Sequence, residues 1–460
     1  MRLTRRRLLA GAAASALGAA GVYELVDQLG GEAPARLAGL PRPAEQHLLD
    51  GVSVIVDNNV EVVVPPLHHQ LVTANIRAGD LRSARRELSD ALDELDRRYE
   101  QTPAGLGLTL AWGLPYFERR VPDAWRAHAP HDRRARKPAL LPAVRFPSDP
   151  QETVLEQNEV AILLRSDARN HLADAAHMLF ADLSLFEVTS IRRGFVGGGF
   201  GGRRSLPKKV AMAAGVPGAD LIPSSAQLFL GFTSTQKDGL GPRLIANHET
   251  LGLVDLGPRH YFREGTSMHV SHIFEDLEAW YLNFDFRERV ATAFRPTQAE
   301  VREGTQTVPQ GPKNIDTVRG VEREFKTQGR IGHSSAIQTA SRLQHDHVAT
   351  DGTVYRRGTA IPQRADFNTL DNPFYWSAHP QVDQMQLGPR AGLHFVVFNP
   401  SSDDFHRGRL AMDGVLPDGT RLPLAARERN QGFNSVLRTT HRQNFLVPPR
   451  RHRSFPLAEL

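Results

Sequence analysis

Two hydrophobic periods alternate along the first half of this 460-residue chain. HHQLVTANI (68 to 76) reads as a strand, and Asp80 then stands where it can cap a helix. In that helix Leu81, Ala84, Leu88, Leu92, Leu95 and Tyr99 recur at three- and four-residue steps. GLGLTLAWG (105 to 113) is a second strand and EVAILLRS (159 to 166) a third. Asp167 is expected to cap a helix carrying Leu172, Ala176 and Leu179, and FEVTSI (186 to 191) is a fourth strand. The order is βαββαβ, that of a ferredoxin-like sheet with both helices on one face.

The glycine-rich GGGFGG (197 to 202) lacks the strand before it and the helix after it that a phosphate-binding loop needs, so it reads as a connection. The second half repeats the theme with longer insertions. AQLFLGF (226 to 232) and TSMHVSHIF (266 to 274) read as strands, and a helix from about Glu275 carries Leu277, Trp280, Tyr281 and Phe284. A long irregular region follows, then strand GLHFVVF (392 to 398), a short helix near Phe405 to Met412, and an extended segment around NFLV (444 to 447). The expectation is an α+β protein of tandem ferredoxin-like domains with antiparallel sheets. Its boundaries are 59–225 for the N-terminal domain and 226–460 for the C-terminal domain, after a Pro- and Gly-rich linker over 34–58.

Composition narrows the partners. The net charge is +5, of which the first 33 residues contribute +1, and no aromatic residues interleave the basic run Arg133, Arg134, Arg136 and Lys137. Both observations argue against nucleic acid. The absence of cysteine removes disulfides, iron-sulfur clusters, thiolate-bound haem and a cysteine nucleophile. Within residues 1–33, TRRRLL (4 to 9) is followed by AGAAASALGAAGV (10 to 22), and the pair resembles a twin-arginine export signal. Ala14, Ser15 and Ala16 form one Ala-x-Ala cleavage candidate. Export through the twin-arginine machinery to the cell envelope or beyond is the expected route.

Four segments of the second half carry the chemistry: QKDG (236 to 239), His333, YRRG (355 to 358) and GLHFVVF. They offer a carboxylate, an imidazole and a guanidinium around an apolar strand. His68-His69, His345-x-His347 and His269-x-x-His272 are weaker metal candidates. The last pair lies on a strand, where a three-residue step sends the two rings to opposite faces.

With LTLAWGLPYFERR (108 to 120), NEVAILLRSDARNHLADAA (158 to 176) and GTSMHVSHIFEDLEAW (265 to 280), these segments make the chain resemble the dye-decolourising peroxidases over roughly residues 60 to 460. That family includes exported members similar to deferrochelatase. The resemblance implies the dimeric α+β barrel fold, one haem b per chain, and reduction of hydrogen peroxide at the expense of an organic or metal-ion donor. It also implies site roles. GFTSTQKDG (231 to 239) stands for the family's Gly-x-x-Asp-Gly with three extra residues, and makes Asp238 the distal acid–base group. Arg356, with Arg357 second, matches the distal arginine that stabilises developing negative charge. His333, 23 residues before Arg356, matches the iron ligand, its other ring nitrogen needing an acceptor. Phe395 of GLHFVVF is assigned to the cofactor's apolar surroundings. A haem-binding or haem-iron-handling protein with little turnover, and a cofactor-less secreted scaffold, are the two alternative readings; a homo-oligomer is compatible with each.

Overall fold

The computed structural model describes Tyr23, Val26 and residues 45–460, apart from residues 48, 58–59, 198–204, 225, 227, 233–243, 246–255, 298–315, 349–351, 353 and 427. The first βαββαβ unit forms as its periodicity dictates. Its elements are β1 (His68–Ile76), α1 (Leu81–Arg98), β2 (Gly107–Gly113), β3 (Val160–Ser166), α2 (Arg169–His177) and β4 (Phe186–Phe195). The Asp80 carboxylate accepts from the backbone N–H groups of Arg82 and Ser83, which fixes the start of α1. Its buried stripe of Ala84, Leu88, Ala91, Leu92 and Leu95 packs on the sheet with Trp112, Tyr116 and Phe117. Asp167 does not cap α2. The helix begins two residues later after Ala168, and the Asp167 carboxylate instead accepts from the Leu67 N–H at 2.9 Å, tying the loop to the start of β1.

The second unit is built of β5 (Thr266–Glu275), α3 (Leu277–Asn283), α4 (Phe286–Ala293), α5 (His333–Ser341), β6 (Phe367–Thr369), β7 (Gly392–Asn399), α6 (Ser402–Met412) and β8 (Leu437–Val447). The segment 226–232 is not its first strand. It turns through Gly231 at φ +83°, and its carbonyl groups at Phe229 and Leu230 accept from Tyr281 Oη at 2.7 Å and Trp280 Nε1 at 2.9 Å. Those polar tips of α3 take the place of a neighbouring strand. The helix expected from about Glu275 is α3, and α4 follows it after a capping box formed by Asp285 and Glu288. The region expected to be irregular contains α5.

Both units have the same antiparallel strand order, β4-β1-β3-β2 in the first and β6-β7-β5-β8 in the second. Each is the ferredoxin-like arrangement, and together they close a ring. β8 pairs with β5 along its length and with β2 at Phe445–Gly113, while β6 meets β4 at Asn368–Phe195. Alternation along each strand then decides which side chains enter the ring and which face the helices. Leu71, Ala111, Leu163, Met268, Val270, Phe367, Val396, Phe398 and Phe445 fill the interior. One rung further along β5, β7 and β8 the interior positions are His272, His394 and His441, directly paired across the strands. His269 and His272 accordingly face opposite sides: His269 stacks on Phe405 of α6, and His272 points into the ring. No helix among the described residues is long and apolar enough to cross a membrane.

Candidate functional site

The outer face of the second sheet and the helices laid over it do not meet everywhere. Between them lies a cavity of about 310 Å³. Ile273 of β5 with Leu393, Phe395 and Val397 of β7 makes the sheet wall. The odd-numbered positions of β7 face out because the even-numbered ones fill the barrel. Ile337 of α5, Met412 of α6, Phe294 and Phe433 make the opposite, equally apolar wall.

His333 is the first residue of α5 and lines this cavity. Its position is set by backbone packing. The Phe294 carbonyl at the end of α4 accepts from the Ser335 N–H at 2.9 Å, and a Cβ at Gly332 would stand 2.3 Å from that same oxygen. Only glycine allows the two chains to approach so closely. The imidazole lies 4.8 Å from the Phe433 ring, and its Nδ1 is buried with no hydrogen-bond partner among the described residues. Burial, with the charges of Arg364 and Arg409 adding to it, lowers the ring's pKa to about 3. The ring is therefore neutral and carries a free lone pair at any ordinary pH.

Polar groups enter the cavity at defined points. Arg364 and Asp366 come from the short strand run just before β6, where Ala365 and Phe367 point into the barrel and the alternate residues point outward. Arg364 Nε lies 3.6 Å from Asp366 Oδ1. Arg342, at the end of α5, is buried and makes no ion pair among the described residues. Burial and the neighbouring Arg364 lower its pKa to about 10. Glu275, the last residue of β5, is buried as well, and its Oε2 has no partner among the described residues. Burial first, then the charge of Asp366, raises its carboxyl to about pKa 8. At another edge Asp149 accepts from Arg442 at 2.8 Å and Arg409 at 3.2 Å, and Arg409 also reaches Asp413 at 2.8 Å. This buried network ties α6 and β8 to the 144–150 loop.

Of the residues singled out in the sequence, His333 and Phe395 line the cavity together. Arg356 and Arg357 do not. They follow the two-residue strand Val354–Tyr355 in a surface hairpin, where Asp346 is the nearer partner. Arg356 Nη1 donates to it at 2.7 Å with its side chain 77 % exposed, and the Arg357 N–H donates to it at 2.7 Å. The cavity guanidinium groups are Arg342, Arg364, Arg409 and Arg442. Asp238 lies outside the described residues, whereas Phe232, at the start of the same segment, lines the cavity. Alternation over QRADFNT (363 to 369) was the signal available for Arg364 and Asp366, in a stretch too short to read as a strand. Glu275 was hidden by its place at a strand-to-helix junction. Among the described residues no group of three His, Asp or Glu side chains is arranged to hold a bare metal ion.

A family model described as a family of unknown function matches residues 66–449. No curated protein matches the chain in sequence. Among solved structures it is similar to a dye-decolorizing peroxidase from Bacteroides thetaiotaomicron, at 11 % identity and a TM-score of 0.47, covering 89 % of this chain and 98 % of that one. It is also similar to a variant of DypB from Rhodococcus jostii in complex with heme, at 12 % identity and a TM-score of 0.46 over 85 % and 95 % of the two chains. A third is the encapsulated DyP-type peroxidase from Mycobacterium smegmatis, at 13 % identity and a TM-score of 0.45 over 85 % and 95 %.

Proposed function

The chain belongs to that family of unknown function, DUF7405, and from this starting point we propose that it is a haem b protein of the peroxidase type. The observation that carries the proposal is the His333 imidazole: neutral, unengaged at Nδ1 among the described residues, and set at a helix start against an apolar cavity. A buried polar nitrogen left unpaired costs roughly 1–3 kcal/mol, so a ligand that engages it stabilises the fold.

The residues present fit a flat, apolar, doubly anionic macrocycle. Phe395, Leu393 and Ile273 offer one flat apolar wall, Phe433 and Met412 the other, and His333 an imidazole that would ligate the iron. Arg342, a buried cation with no carboxylate partner among the described residues, suits a propionate. When bound, haem supplies the redox chemistry by which hydrogen peroxide is reduced and an organic or metal-ion donor oxidised. The protein's share is geometry and field. Arg364, steadied by Asp366, sets a fixed positive charge on the sheet wall, where negative charge developing on a peroxide oxygen would be stabilised by roughly 3 kcal/mol. The apolar walls keep bulk water from competing for that charge.

Titration of the purified full chain with haem, followed by its Soret band and by peroxide-dependent oxidation of a dye, tests this reading. A Soret band that His333→Ala abolishes, with turnover in the wild type, is the expected result; no band in the wild type would leave only the cofactor-less scaffold. A band without turnover would favour the haem-handling reading.

Export by the twin-arginine route is a further part of the proposal, supported by TRRRLL and the alanine-rich run after it. Tyr23 and Val26 are buried, and Tyr23 Oη donates to the Arg193 carbonyl at 3.0 Å. Cleavage after the Ala14 to Ala16 candidate would keep both in place. Peptide mass mapping of the secreted protein decides it.

A further inference from the structure

We propose that Glu275, on the sheet wall of the cavity, is an acid–base group for the oxygen chemistry carried out there, with Asp366 as the neighbour that keeps its proton in place. The inference rests on the haem reading above and deepens it. The segment expected to supply the proton-handling carboxylate, GFTSTQKDG, has three extra residues between its glycine-phenylalanine start and Asp238, whereas Glu275 lies on a wall fixed by β5.

Three observations converge on this residue. Glu275 lines the same cavity as His333 and Arg364. Its side chain is buried, yet Oε2 has no hydrogen-bond partner among the described residues, a costly arrangement for a carboxylate and a tolerable one for a carboxylic acid. The groups around it do not favour ionisation. Asp366 is a like charge, and Tyr281 on α3 is held above its ordinary pKa chiefly by burial, with Arg289 opposing the shift and the Glu275 charge adding to it. Across the cavity Arg342 and His333 belong to the opposite wall. Burial and Asp366 together raise the carboxyl to about pKa 8, so at neutral pH it holds a proton that it can give.

The step balances simply. Reduction of hydrogen peroxide to two waters breaks the oxygen–oxygen bond and consumes two electrons, taken from the donor, and two protons. Glu275 gives one proton to the departing oxygen as its own O–H bond breaks. Solvent supplies the other and then re-protonates the carboxylate.

Infrared difference spectroscopy of the full chain without added haem reads the proton directly. The wild type is expected to show a protonated-carboxyl band at pH 7 that titrates near pH 8 and is missing in Glu275→Gln. Asp366→Asn is expected to move that titration to lower pH. A variant spectrum with the band intact would overturn the inference whatever haem does. In the haem-loaded protein, peroxide turnover is expected to fall as pH rises through about 8, and Glu275→Gln to lower it by about 10²-fold with an unchanged Soret band. Equal turnover and an equal pH profile in the two proteins would also overturn it. A wild type that takes up no haem defeats the earlier reading alone, because the infrared titration still reports on Glu275.

Discussion

Gly332 stands so close to Phe294 that a single added carbon would lie 2.3 Å from the Phe294 carbonyl oxygen. That contact joins the end of α4 to the start of α5, and the next residue is His333. Gly332→Ala must therefore push α5 outward or break the bond from Ser335. A loss of roughly 1–3 kcal/mol in stability is expected from such overpacking, together with weaker haem uptake. Denaturant unfolding and a haem titration check both, and a variant that matches the wild type in each would show that the approach is not rigid.

Arg356 offers the opposite expectation. Its guanidinium is largely in solvent and pairs with an exposed Asp346, so Arg356→Ala should change stability by less than about 1 kcal/mol and leave haem uptake as it is. Arg342→Leu, which removes a cavity cation, should weaken haem uptake with little loss of fold. Side-by-side titrations of the two variants separate the surface arginine from the buried one.

The network at Asp149 should be costly to break. Its carboxylate is buried between Arg442 and Arg409, and Asp149→Ala would take the carboxylate partner from Arg442 and leave Arg409 with Asp413. A loss of about 3–5 kcal/mol is expected from removing one partner of such a set, measured as a fall in the denaturation midpoint. A change below 1 kcal/mol would mean that Asp413 alone compensates Arg409.

Acid should loosen the barrel before it harms the surface. Burial holds His69, His272 and His394 well below the ordinary histidine pKa. The folded chain therefore refuses protons that the unfolded chain binds below about pH 6.5. Stability contributed by these rings is complete above that pH. It declines as pH falls further, at up to about 1.4 kcal/mol per pH unit for each ring. His394→Gln should make the decline between pH 6.5 and 5 shallower. Denaturation midpoints that are flat over that range in the wild type would refute the assignment.

Much of the fold could be read from periodicity because the strands have one face in the barrel and one against helices. HHQLVTANI, TSMHVSHIF and GLHFVVF are strands in the structure, and the Asp80-capped helix starts where its cap requires. The segment 226–232 misled because Phe229 and Leu230 are buried by packing with Trp280, with no strand partner among the described residues. An apolar run reports burial before it reports extension. The lining of the cavity was legible where position in the chain was enough, as for His333 and Phe395. It was not legible where tertiary pairing decides: Arg356 and Arg364 lie eight residues apart in sequence, and only the pairing of Gln363–Arg364 with β7 brings the second one inward.

The ring is closed by its last strand. β8 lies between β2 of the first unit and β5 of the second, so the second sheet lacks its edge strand, and the ring stays open, until residues 437–447 have been synthesised. On the ribosome, the first unit must wait with an open hydrogen-bonding edge for most of translation. Completion depends on contacts more than 300 residues apart, such as Leu446 with Trp112, and pairings of that span are slow to form. A nascent chain stopped before Leu437 should consequently remain protease-sensitive in its second unit, and one that includes residues 437–447 should become resistant there.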